Sequence, residues 1–334
     1  MEPRVLPFAE LDSHADSVLL KDGPPTRAES RMTGWLERQA FHPILSAFLL
    51  FVVSFLLFQG LATLIAIALV ITSEGVPSPD ALLDMLEKST VPLLAGNTVG
   101  QFLGMALPVI LWTRLHTKDT SNFLRFKWPD PILIFLAAFG LFALLPCIQW
   151  LGQINETLPL PRFLVDLERS QMELIERILG GDVSLGAMIF SLAVTPAICE
   201  EILFRGYLQR QFERSLGVAG GIVITGVLFG LYHFRLSQAV PLAVLGIYLG
   251  YLVWRTGSIW VVVAVHFLNN GFAIAASSYV TANPELGIKD IENVPVPWTF
   301  VLSGAIVLAL VIMFIDRRVR RLDARSAVME VENG

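Results

Sequence analysis

The sequence predicts an all-α polytopic membrane protein with about eight transmembrane helices and a polar site at mid-membrane depth. Hydrophobic residues make up 54% of the 334 residues, charged residues make up 16%, and the mean hydropathy is +0.64. A soluble chain of this length would need more polar surface to cover itself. Long apolar runs, and the few ionisable residues inside them, complete the prediction.

The charge and cysteine content exclude several other classes. The net charge is -5, whereas a nucleic-acid partner would call for a basic face or stripe. The two cysteines, Cys147 and Cys199, lie inside apolar runs and have neither the spacing of zinc ligands nor that of a disulfide framework. The first forty residues are polar, with no short apolar core, so we expect no cleavable signal peptide.

Eight apolar runs are long enough to cross a hydrocarbon core about 30 Å thick as α-helices. We place them at 43–72, 91–114, 131–152, 185–207, 218–235, 239–255, 258–280 and 297–316. Two further segments, 79–87 and 163–179, have apolar residues at helical spacing. This pattern is typical of helices that lie on the membrane surface.

The placement of Lys and Arg predicts the orientation, because positively charged loops stay on the cytoplasmic side. With both termini cytoplasmic, the inside segments hold eighteen of the 24 basic residues, and the opposite orientation would invert this bias. We therefore expect a multi-pass protein with a transmembrane domain at 43–316. A mobile polar tail (1–42) and a basic-then-acidic tail (317–334) would flank it in the cytoplasm.

A few polar residues lie inside the predicted spans. Ionisable groups in lipid are costly unless paired or wetted, so they indicate functional sites by default. The fourth span contains a Glu-Glu-x-x-x-Arg motif, the fifth ends in Phe-x-x-x-His, and the seventh contains His-x-x-x-Asn. The residues of these motifs are Glu200, Glu201, Arg205, Phe229, His233, His266 and Asn270.

Helical spacing suggests separate tasks for the two glutamates. Glu201 and Arg205 are four residues apart on one face, where an ion pair would lower the cost of burying both. Glu200 points about 100° away from this face, which leaves it free to meet water as a general base. His266 and Asn270 also share a face, and this spacing could orient a water molecule, an oxyanion or a metal.

The depths of these residues agree if the chain turns near Gly217. Glu200 lies seventeen residues before that glycine and His233 sixteen residues after it, so an antiparallel hairpin places them at the same height. His266 reaches a matching depth if the polar stretch 209–215 extends the fourth helix into the cytoplasm. The turn at 235–238 would then be shallow and would have to line a wet cavity.

The three motifs, in this order on successive membrane helices, resemble the CPBP family of type II CAAX prenyl endopeptidases and their relatives in bacteriocin processing and immunity. The resemblance covers roughly 185–275, and we take 185–280 as a protease-like core. It implies that Glu200 is the catalytic glutamate, with Glu201 and Arg205 as its partners. The Phe-x-x-x-His and His-x-x-x-Asn motifs match without departure.

The resemblance implies hydrolysis of a peptide bond by water. Glu200 would deprotonate the water, His233 would assist, and His266 with Asn270 would stabilise the developing oxyanion. Other intramembrane protease motifs, His-Glu-x-x-His and Gly-x-Ser-Gly among them, are missing from the sequence. Glu200, His233 and His266 are also acceptable ligands for one Zn²⁺, so metal dependence stays open.

Plainer interpretations remain beside this one. The Glu201–Arg205 pair could simply lock two helices, and each histidine alone could be a hydrogen-bonded helix contact. The pairs Gly226-x-x-x-Gly230 and Gly246-x-x-x-Gly250 are predicted to be packing surfaces. A proton-coupled transporter, or a non-catalytic immunity or scaffold protein on the same fold, are the alternative functions.

The partners and location follow from the resemblance and the composition together. We expect membrane lipid and a membrane-associated peptide or protein substrate, with CAAX-type prenylated peptides as one possibility. We expect no nucleic-acid partner and no cofactor other than the metal already considered. The expected location is the plasma membrane of a bacterium.

Overall fold

The protein is all-α in the computed structural model, which describes residues 32–76, 78, 81, 85, 89–157, 159–181, 183–283 and 294–332. No β-strand occurs among these residues. The helices are α1 Trp35–Arg38, α2 Pro43–Glu74, α3 Thr90–Thr113, α4 Thr120–Phe123, α5 Pro131–Glu156, α6 Arg162–Gly180, α7 185–216, α8 218–232, α9 Ala239–Thr256, α10 Ile259–Ala282 and α11 Trp298–Glu332.

Seven helical stretches of the described residues are long and apolar enough to cross a membrane. They coincide with the predicted spans, except that the fourth and fifth predictions fall in one stretch, Leu185–Tyr232. Their lipid-facing surfaces are apolar and exposed, as at Phe48, Phe135 and Phe314. The predicted class, an all-α integral membrane protein, is confirmed.

Gly217 divides the longest stretch into two arms that fold back on each other. Its φ of 72° lies in the left-handed region, where a residue without Cβ is favoured. Beyond it the chain reverses: the rings of Phe204 and Phe229, on opposite arms, have centroids 5.3 Å apart. The hairpin expected near Gly217 is therefore present.

The arms of the hairpin differ in length. At 1.5 Å per residue α7 extends over about 48 Å, whereas α8 extends over about 22 Å. Helix α7 is longer than the hydrocarbon core is thick, and the polar stretch 209–215 continues it without a break up to Gly217. A short 3₁₀ turn, Leu236–Gln238, then joins α8 to α9.

Helices α8 and α9 pack with their backbones almost in contact. A Cβ on Gly246 would lie 2.9 Å from the Cα of Gly226, and one on Gly230 would lie 2.4 Å from the carbonyl oxygen of Ala239. Any larger side chain would force the helices apart. The glycine pairs are thus packing surfaces, as predicted.

The predicted surface segment 163–179 forms α6, an amphipathic helix. Leu174 and Ile178 pack on the membrane helices, whereas Phe163 and Leu167 are exposed. Most of the other predicted surface segment, 79–87, lies outside the described residues. Residues 1–31 of the predicted N-terminal tail also lie outside them.

Candidate intramembrane active site

The seven motif residues form one cluster at the meeting point of α7, α8 and α10. Glu200, Glu201 and Arg205 come from the middle of α7, just before and within a π-helical turn, Ile202–Leu208. Turns of this kind recur at functional sites, since the extra residue realigns the side chains that follow. Glu201 makes the hydrogen bonds that join residues of α7 and α10 in this cluster.

Glu201 lies at the centre of the cluster and is fully buried. Its Oε1 accepts a hydrogen bond from Arg205 at 3.0 Å and a second from Nδ1 of His266 at 2.7 Å. Arg205 also donates to the carbonyl oxygen of Gly246 at 3.1 Å. The carboxylate therefore has a cation and a hydrogen-bond donor beside it, and these partners offset the cost of removing it from water.

Glu200 has a different environment, although it is the next residue. It is 6% exposed, and its Oε2 is buried without a hydrogen-bond partner in the described part of the chain. Nε2 of His266 lies 4.0 Å from Oε2. A buried carboxylate oxygen left without a donor is costly, so the position favours a bound water or a substrate group.

The two histidines share one tautomer, which their partners define. Nδ1 of His233 contacts the carbonyl oxygen of Phe229 at 2.8 Å, and a carbonyl can only accept, so Nδ1 carries the proton. Nδ1 of His266 carries one for the same reason, because it donates to Glu201. In this tautomer the lone pair of each ring is at Nε2.

Asn270 holds Nε2 of His266 in place. Its Nδ2 lies 3.2 Å from that nitrogen and 3.3 Å from the carbonyl oxygen of Leu192, on α7. Asn270 therefore ties α10 to α7 on the side of the cluster where Glu200 and His266 approach each other.

Phe229 connects the other members of the cluster. Its ring centroid lies 4.3 Å from the guanidinium carbon of Arg205, within cation–π range. Its edge contacts involve both His233, at 4.9 Å, and His266, at 5.6 Å. The aromatic residue of the second motif thus separates the two imidazoles and shields the buried cation.

The residues fit a metal only in part. Glu200 and His266 lie close enough to share a ligand, and Oε2 of Glu200 has no other partner. In the region that the structure describes, however, no group of three or more His, Cys, Asp and Glu side chains is arranged to hold a metal ion. A catalytic zinc takes three protein ligands, and this arrangement supplies two of them at most.

Sequence analysis missed a second buried polar cluster beside α7. His116 donates or accepts at both ring nitrogens, with Glu37 at 2.6 Å and Tyr207 at 2.7 Å. Arg214 donates to Glu37 at 2.8 Å. Burial lowers the pKa of His116, and Glu37 only partly opposes this. The one available signal was a lone histidine at the end of a span.

Two further residues beside the site were also missed. Asn155 and Glu168 contact the turn that follows His233. Asn155 lies beyond the apolar run in which we placed the third span, and Glu168 is one of several acidic residues on a surface helix. Neither position carried a recognisable pattern.

The site is therefore that of a membrane protein in which buried carboxylates and histidines from three helices meet. More particularly, residues 182–272 match the family model of type II CAAX prenyl endopeptidase Rce1-like proteins. This match confirms the resemblance inferred from the three motifs, and it spans all of them. Comparisons with curated proteins and with solved structures gave no match.

Proposed function

We propose that this protein is an intramembrane endopeptidase in which Glu200 activates a water molecule. One observation carries the proposal: two adjacent buried glutamates have different bonding. Oε2 of each lacks a partner among the described residues, but Oε1 of Glu201 is held by Arg205 and His266. A general base must be free to accept a proton from water, and this favours Glu200, whose carboxylate no cation or histidine holds within hydrogen-bond distance.

The reaction follows from this arrangement. Glu200 takes a proton from water, and the water oxygen attacks the peptide carbonyl carbon. As the carbon–nitrogen bond breaks, the proton passes to the leaving amine. His233, whose Nδ1 is bound to the carbonyl oxygen of Phe229, is assigned to assist by accepting a hydrogen bond from the water at Nε2.

His266 and Asn270 are assigned to the developing oxyanion. Nδ2 of Asn270 and Nε2 of His266 lie 3.2 Å apart, so both groups can reach one oxyanion. The carboxylate of Glu201, 2.7 Å from Nδ1, fixes the orientation of the His266 ring. Glu201 thereby supports the oxyanion site without contacting the substrate.

The substrate class follows from the family match and from the depth of the site. A cluster embedded among membrane helices can act only on a peptide that reaches the bilayer. We propose a membrane-associated peptide, with prenylated CAAX-type C termini as the first choice because the matched family is described by that substrate. Leader-type peptides, which the wider family also processes, are the second choice.

The test is cleavage by the purified full-length protein in detergent and in liposomes. Peptides with a prenylated CAAX C terminus, the same peptides without the prenyl group, and leader-type peptides are compared by mass spectrometry of the products. We expect cleavage of at least one lipid-adjacent peptide. No cleavage of any of them, together with a proton flux into liposomes that depends on Glu200, would instead indicate a transporter.

A further inference from the structure

The turn that follows His233 has an unusual backbone. Phe234 adopts a φ of 52°, in the left-handed region that residues with a Cβ rarely occupy. Arg235 and the 3₁₀ turn Leu236–Gln238 then reverse the chain into α9. His233 itself follows the last residue of α8 and directly precedes this turn. Backbone of this kind persists only where neighbouring groups hold it.

Asn155, near the end of α5, holds the turn from one side. Its Nδ2 donates to the carbonyl oxygen of Leu236 at 2.6 Å, and its Oδ1 accepts from the backbone nitrogen of Val240 at 3.3 Å. The two bonds bridge both ends of the 3₁₀ turn. Asn155 is 3% exposed, so water does not compete for these groups.

A second contact comes from the surface helix α6. Oε1 of Glu168 accepts from the backbone nitrogen of Ser237 at 3.2 Å, inside the same turn. Side chains from two helices therefore bind the backbone of this turn and of the first residues of α9. The three bonded backbone groups lie three to seven residues after His233.

We propose that Asn155 is a positioning residue for His233, and this rests on the function proposed above. By bonding both ends of the turn, Asn155 fixes Phe234 in its left-handed conformation. That conformation sets where α8 ends, and so keeps the imidazole of His233 donating to the carbonyl oxygen of Phe229 and packed against its ring. Asn155 does not touch the reacting atoms.

Gln153, two residues before Asn155 on the same helix, offers a matched control for the substitution of Asn155. Gln153, on the same helix, also makes two side-chain bonds to backbone, to the carbonyl oxygen of Val294 and from the nitrogen of Val296. Those bonds go to the segment before α11, which carries no site residue. Gln153→Ala thus removes a similar number of bonds from the same helix end without affecting the turn.

The first measurement needs no activity. The chain has five histidines, so ¹⁵N-histidine spectra of the full-length protein in detergent are simple, and His233→Gln assigns the signal. We expect the single Nδ1–H tautomer of His233 to become a mixture in Asn155→Ala and in Asn155→Leu, which fills the same space. Gln153→Ala should leave it unchanged. An unaltered His233 signal in a folded Asn155→Leu protein would overturn the proposal.

The second measurement is kinetic. Misplacing an assisting group by about 1 Å can lower the rate by about a hundredfold. We expect kcat of Asn155→Leu to fall between about tenfold and a hundredfold, with KM within about twofold of the wild type. A raised KM with unchanged kcat would contradict positioning. If the wild type cleaves nothing, the proposed function fails, whereas the spectra still decide the role of Asn155.

Discussion

Nδ1 of His266 donates to Oε1 of Glu201 across 2.7 Å of fully buried space, and this bond links the first and third motifs. The same oxygen also accepts from Arg205. Glu201 is therefore part of the support for the site, and it is set apart from its neighbour Glu200 by bonding rather than by burial.

Glu201→Gln should destabilise the protein. The substitution removes the carboxylate that pairs directly with Arg205, and breaking a fully buried ion pair costs about 3–5 kcal/mol. We expect a clear fall in the melting temperature in detergent, together with loss of cleavage. A melting temperature equal to that of the wild type would show that the pair does not hold α7 as described.

The stability of the protein should fall as the medium becomes acidic, in part through His116. Burial lowers the pKa of this histidine below its ordinary value of 6.5, although Glu37 opposes the shift. The unfolded chain therefore takes up a proton as the pH falls through 6.5, while the folded state resists it. The free energy of unfolding should decrease from that pH downward to the folded pKa.

The measurement for His116 is the melting temperature at several pH values between about 7 and 5. His116→Gln should flatten this dependence, whereas His42→Gln, which replaces an exposed histidine, should not. Glu37 contributes separately. Its pKa is also lowered, through bonds from Arg214 and His116 that outweigh the effect of burial, so its contribution is lost only below its ordinary 4.5. Equal pH profiles for His116→Gln and wild type would contradict the prediction.

Single-cysteine labelling tests the orientation. In a background without Cys147 and Cys199, Leu216→Cys lies exposed at the end of α7, and Ser170→Cys lies exposed on α6. With cytoplasmic termini, an impermeant thiol reagent added to intact cells should label position 170 but not 216, and inverted vesicles should give the reverse. The opposite pattern would invert the topology.

Metal removal separates two forms of the mechanism. If Zn²⁺ binds at Glu200 with the histidines, then chelation should abolish cleavage, added zinc should restore it, and elemental analysis should find about one ion per chain. Full activity in protein shown to be metal-free would establish that Glu200 acts on water without a metal.

The sequence predicted the membrane spans well, because apolar length is a strong signal. Intramembrane charge singled out the motif residues, which the structure brings together, while their roles stay predictions. Helical spacing also predicted the Glu201–Arg205 pair, since both residues lie on one helix. The bond from His266 to Glu201 could not be predicted, because it depends on the rotation of α10 relative to α7. That rotation is determined by packing over the whole bundle.

The turn after His233 shows another limit. Its conformation depends on the left-handed Phe234, and an aromatic residue gives no local indication of a positive φ. Asn155 holds that turn from a helix about eighty residues earlier in the chain. Contacts between distant segments of this kind leave no periodic pattern in a single sequence.

The most direct test of the account compares Glu200→Gln with the wild type in the same detergent, measuring cleavage rate and melting temperature together. The substitution keeps the size and hydrogen-bonding capacity of the side chain but removes the base. We expect cleavage to fall by about a hundredfold or more, with the melting temperature unchanged, since Oε2 of Glu200 has no partner to lose among the described residues. Retained cleavage in a folded Glu200→Gln protein would contradict the glutamate-base mechanism.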